Sequence, residues 1–241
     1  MNNTYTNEQQ IIDWLENHKV KNYRLVPDKK YGFIVNVHGD VALINKGLTN
    51  IPVKFSEVTG FFNCSNNQLT SLEFGPQKLG SHFLCNNNKL TSLEFSPQTI
   101  RGGFYCYNNN LTSLEFCPQT ITDTFNCSYN KLISLEFCSQ TVGGNFYCQN
   151  NKIESLEFCP QTVEFNFNCS NNQLISLEFC PQILDGNFYC ENNPKLKKIQ
   201  KITDFKLIFL EHKKTLITKF SDKLKNNLIN DKSKKTAKIK I

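Results

Sequence analysis

Seven cysteines recur 21 residues apart without a slip, at Cys64, Cys85, Cys106, Cys127, Cys148, Cys169 and Cys190. An Asn three places after each, from Asn67 to Asn193, and a Phe two places before each, from Phe62 to Phe188, keep the same period. A fixed period of this length means one small structural unit stacked many times, each coil burying an apolar face that it cannot bury alone. The chain is therefore expected to be a solenoid. Any function belongs on its outside.

One unit reads Phe104, Cys106, Asn109, Leu111, Leu114, Phe116, Pro118, Ile121. This resembles the leucine-rich-repeat consensus L-x-L-x-x-N-x-L, with Phe and Cys in place of the first two leucines. Segments such as NKLTSLEFSPQTI and NQLISLEFCPQIL, followed by G-x-F-x-C-x-x-N, are similar to repeat proteins of giant DNA viruses and some bacteriophages. The resemblance implies an α/β-type leucine-rich-repeat solenoid: a parallel β-sheet on the concave face, a mostly extended or 3-10 convex side, and terminal helices as caps. It covers Val41 to about Ile202 and counts about eight coils. The first is degenerate, with Lys46 in place of the Asn, and Pro194 displaces Leu196 by one place in the last.

In the F-x-C stretch, alternation puts Phe and Cys on one face and the residue between them on the other. The Asn closes the turn. Buried, it is tolerable only if its amide bonds backbone groups of its own and adjacent coils. Small residues before the strand (Gly60, Gly80, Gly103, Gly144) and Pro76, Pro97, Pro118, Pro160 and Pro181 mark the other bends, with Ser139 replacing the one missing Pro. Of the 20 Phe, 13 fall in two repeat columns, and both columns are expected in the core.

All 11 Cys lie in the array, the last four in a second column at Cys117, Cys138, Cys159 and Cys180. Without C-x-x-C pairs, and with His82 the array's only histidine, they read as small core hydrophobes rather than metal ligands or disulfides. No cofactor is expected. The polar start and the absence of a long apolar run predict an intracellular protein of host cytoplasm or virion, not secreted and without a transmembrane segment.

The domain reading places an N-terminal helix and strands as a cap at 1–40, the solenoid at 41–208, and a Lys-rich cap helix with a disordered tail at 209–241. The first helix rests on Ile11, Ile12, Trp14 and Leu15 at helical spacing, the last on Leu216, Phe220, Leu224 and Leu228. From Lys195 onward the chain carries net charge +11, against −5 for the remainder. This asymmetry suggests a segment for polyanions, with Lys232, Lys234, Lys235, Lys238 and Lys240 as non-specific contacts to nucleic acid or an anionic surface. Glu73, Glu94, Glu115, Glu136, Glu157 and Glu178 form a ladder of like charge that must face water.

No nucleophile–base pair and no converging carboxylates stand out, so the sequence argues against an enzyme. The expectation is a protein-binding scaffold, and a monomer. Its partner-binding residues are Asn63, Tyr105, Asn126, Tyr147, Asn168 and Tyr189, between the Phe and Cys columns, with Tyr107 and Tyr129 just beyond. Tyr and Asn give large amphipathic contact and adaptable hydrogen bonds at low entropic cost. The alternative is a tethered or structural protein anchored through the Lys-rich segment.

Overall fold

The computed structural model describes residues 4–196. The expected C-terminal cap helix, tail and polyanion-binding lysines lie outside them.

Helix α1 spans Glu8–Asn17. Asn7 opens it, its side chain accepting from the backbone N–H of Gln9 and Gln10, the usual satisfaction of orphan donors at a helix start. Ile11, Trp14 and Leu15 are buried. An antiparallel hairpin follows, β1 (Tyr23–Asp28) and β2 (Gly32–Val37). Asp28 holds its tight loop by accepting from the N–H of Lys30 and Tyr31, and Gly32 leaves it at φ +74°, where a side chain is strained.

Beyond the hairpin, each coil contributes two short strands to two parallel sheets. The expected sheet pairs the F-x segments: Phe83–Leu84, Phe104–Tyr105 and Phe125–Asn126 lie side by side in register, and the series runs from Val41–Ala42 to Phe188–Tyr189. The Phe and Cys N–H groups bind the next coil, as in Phe104 N–H to Thr124 O at 2.8 Å and Cys106 N–H to Asn126 O at 2.9 Å. The other sheet joins the hairpin to Phe55–Val58 and then to the T-I/V segments, from Lys78–Leu79 to Ile183–Leu184. That sheet is not evident from the sequence, because each strand has a single inward residue and so no alternation to mark it. Its strands alternate an exposed or half-exposed first residue with an inward Leu, Ile or Val in all but the last. Among the described residues α1 is the one helix, and the coils are extended backbone and turns. Among the described residues, the strands from Val41 to Tyr189 form a parallel β-solenoid of 21-residue coils.

The core is a continuous file of aromatic rings. Phe62, Phe83, Phe104, Phe125, Phe146, Phe167 and Phe188 are fully buried, with consecutive centroids 5.1–6.0 Å apart. Phe55 extends the file to Trp14 of α1, so the helix packs on the end of this column. Offset and edge-to-face ring pairs of this kind add about 0.5–1.5 kcal/mol each beyond area burial.

The buried Asn column is structural. Asn109 donates from Nδ2 to the carbonyls of Cys106 and, one coil back, Cys85, both at 3.1 Å; its Oδ1 accepts the N–H of Leu90 at 3.0 Å. The same set recurs at Asn88, Asn130 and Asn172.

The second Phe column corrects the sequence reading. Phe74 is 7% exposed, but Phe95, Phe116, Phe137, Phe158 and Phe179 are 39–49% exposed. The exposed rings differ from Phe74 in the sign of φ at the Phe, not in the turn's hydrogen bond, which Gly75 also makes to Leu72 at 2.8 Å. In Leu-Glu-Phe-x the N–H of the fourth residue binds the Leu carbonyl, as Ser96 does to Leu93 at 3.0 Å and Cys117 to Leu114 at 2.8 Å. The third residue then sits at φ +65° to +70° in all five coils. This is the type II geometry that favours Gly or Asn, and it costs a residue with a Cβ about 1–2 kcal/mol. Each Glu beside these rings faces solvent, as its charge requires, with its N–H bound to the hydroxyl of the Ser two places before.

Candidate interaction strip

The residues between buried Phe and buried Cys point outward from their sheet. Strand register sets Asn63, Leu84, Tyr105, Asn126, Tyr147, Asn168 and Tyr189 beside one another in that order, each partly exposed. Six of the sequence-derived site residues therefore share one uncharged row. Tyr107 and Tyr129 do not. Tyr107 follows the strand and lies close enough to Tyr105 to influence its titration. Tyr129 occupies the turn at φ +52°, 54% exposed, in a left-handed column otherwise filled by Asn.

Asn and Tyr alternate in the row for a local reason. Asn63 Oδ1 accepts from the N–H and hydroxyl of Ser65 at 3.0 and 2.6 Å; Asn126 does the same with Ser128, and Asn168 accepts the Ser170 N–H. These are Asx turns that steady the end of the strand. Where Tyr takes the place of Asn, the residue two places on is Tyr107, Gln149 or Glu191 instead of Ser. That pairing is visible in the sequence as N-C-S against Y-C-x. Three Asn of the row are thus engaged within their own coils, whereas the tyrosines make no such turn.

Tyr105 packs against neighbours on its own and the preceding coil. Its ring lies over Gly103, where a Cβ would stand 2.6 Å from Cε2, and 6.3 Å from the His82 ring. Burial, helped by the Asp123 charge, raises its phenol above the ordinary value. His82 is a structural acceptor: its Nδ1 takes the Gly103 N–H at 2.7 Å. At the far end Tyr189 accepts from Asn187 Nδ2 at 3.2 Å. Beside Tyr147, the Oε1 of Gln149 is buried without a hydrogen-bond partner.

Elsewhere the chemistry is sparse. All eleven thiols are free and buried, and burial pushes Cys64 and Cys117 up to about 12. Among the described residues no group of three His, Cys, Asp or Glu has the geometry to hold a metal. An open groove of about 550 Å³ on the other sheet carries Glu57, Lys78 and Arg101, with neither His nor Cys in its lining. No helix among the described residues is long and apolar enough to cross a membrane.

No family model matches the chain, and no curated protein or solved structure shows significant similarity to it.

Proposed function

We propose that this protein is a leucine-rich-repeat-type scaffold that binds a protein partner through its Tyr/Asn row and carries out no catalytic step. The observation that carries the reading is the in-register placement of Tyr105, Tyr147 and Tyr189 along one uncharged sheet face. Seven rungs at the usual strand spacing span roughly 29 Å, comparable to the footprint of a standard protein interface. Half-buried tyrosines present rigid rings whose ordering cost on binding is small. The leucine-rich assignment is supported by the 21-residue coil and by the Asn amide that ties each coil to the one before.

The test is affinity capture from the native host with nuclease present, comparing the intact chain, a Tyr105→Ala/Tyr147→Ala variant and a chain ending at Asn230. The expected result is one protein partner recovered by the intact and truncated chains and lost by the double variant, whose circular dichroism is unchanged. Capture by the double variant overturns the site. Loss on truncation or nuclease treatment moves binding to the Lys-rich segment.

A further inference from the structure

The five exposed phenylalanines of the Glu-Phe turns combine two unfavourable features that the fold does not require. Each ring is left about half in water, and each backbone is held in the left-handed region. The chain has another left-handed column, at the turn after the Cys, and fills it with Asn at Asn66, Asn87, Asn108, Asn150, Asn171 and Asn192. Asn or Gly at the Glu-Phe turn would relieve both features. Strain retained in several copies at an exposed position is the pattern of a functional surface.

One member of the column is covered, and it shows what covers it. Phe74 is buried under the β1–β2 hairpin, edge-to-face with Tyr31 at 5.8 Å between centroids, and its φ is not positive. Lys30 Nζ stands 4.8 Å over the Tyr31 ring. Lys54 Nζ donates to the carbonyls of Glu73 and Gly75, at 3.3 and 3.0 Å, on either side of Phe74. The occupant of this rung is thus an aromatic side chain accompanied by lysines. The next five rungs repeat the same Phe beside the same Glu.

We propose that the rungs from Phe95 to Phe179, with the glutamate preceding each, form a docking ladder for a basic amphipathic helix of another polypeptide. Rungs recur at about 4.8 Å, close to the 5.4 Å rise of one α-helical turn, whereas alternate residues of a strand are nearly 7 Å apart. A helix laid along the ladder can set one apolar side chain per turn against successive rings, and five rings span about 19 Å, or roughly 13 helical residues. Lysines on its flanks meet the Glu row and relieve the like-charge repulsion within it. A second copy of this chain brings its own Glu row against the first, so self-association is disfavoured. The ladder is separate from the Tyr/Asn row and does not rest on its assignment.

The experiment uses the full chain and a fluorescein-labelled synthetic helix of about 15 residues, with Phe once per turn and Lys on both flanks, followed by anisotropy. Binding with Kd on the order of micromolar is expected, weakened at least about tenfold by Phe116→Asn/Phe137→Asn/Phe158→Asn and by Glu115→Gln/Glu136→Gln/Glu157→Gln. The Asn variant keeps or raises the melting temperature because Asn suits the turn; the Gln variant supplies the same reading should the first fail to fold. A peptide with Lys replaced by Glu does not bind. Absence of binding to the intact chain, equal affinity for either variant, or equal affinity of the acidic peptide overturns the proposal. A dimer in sedimentation that the Asn variant abolishes overturns it in favour of a second copy.

Discussion

Asn109 ties two coils together through three short bonds, and nothing smaller replaces it. In Asn109→Ala the buried Leu90 N–H loses its partner, at about 1–3 kcal/mol for a group that water cannot reach, while the Cys85 and Cys106 carbonyls each keep one bond, from Asn88 and Asn130. A loss of roughly 1–3 kcal/mol in urea unfolding is the expected outcome; a loss below about 0.5 kcal/mol would mean that water fills the site. The thiols act at the same scale with the opposite dependence on solvent. Burial pushes Cys64 and Cys117 up to about 12, and Cys180 and Cys190 up to about 11, from an ordinary value near 9. Below pH about 8.5 native and unfolded chains both hold these protons, so the contribution to stability is complete. Above it the unfolded chain ionises first, the native state holds more protons, and stability falls by about 1.4 kcal/mol per pH unit for each such thiol. The melting temperature should be level from neutral pH to about 8.5 and drop steeply between about 9 and 11. A level profile through pH 10 would place the thiols in contact with water.

At the scale of elements, α1 is attached to the solenoid chiefly through Ile11, Trp14 and Leu15, and Trp14 meets the aromatic file only at Phe55. A terminal element with one neighbour is the first to open in a stack held by nearest-neighbour contacts. Because Trp14 is the chain's only tryptophan, its emission reports the packing of α1, where it stacks on His18 at 4.1 Å and meets Phe55 at 6.4 Å. The red shift of this emission should precede the loss of far-ultraviolet circular dichroism in urea, and coincident transitions would show that helix and coils unfold as one unit. What the sequence made legible follows element by element. The F-x-C strand, the Asn turn and the outward row could be read because alternation fixes which side chain points where. The T-I/V strand could not, since it has one inward residue and no second one, like the Cys after F-x, to show the alternation. The Glu-Phe turn misled for a different reason. A hydrophobic residue at a fixed repeat position reads as core, and the handedness of a turn is hidden when Phe stands where Gly or Asn would announce it. The one coil with Gly75 after its Phe is the one whose Phe74 is buried.

For the molecule as a whole, the period itself is the stabilising design. Every inward Phe meets the Phe 21 residues away, every strand pairs with its copy 21 residues away, and each buried Asn reaches carbonyls 3 and 24 residues back. An array whose energy is a sum of identical nearest-neighbour terms tolerates the loss of one whole term and not a fraction of one. Removing residues 110–130, one full period, brings Asn109 before Lys131 and restores every column. That chain should fold with the same circular dichroism per residue and a urea m-value lower by roughly one tenth, since m scales with the surface exposed on unfolding. Removing residues 110–129 instead leaves Asn130 as an extra residue in the turn. The twenty-residue deletion pushes the following Leu132 out of the apolar column and sends each later side chain to the wrong face until the coil readjusts, because a one-residue slip inverts a strand. The shorter deletion should therefore cost far more stability than the longer one. Equal stability of the two would show that the coils adapt individually, and that the unbroken spacing of the cysteines does not set the fold.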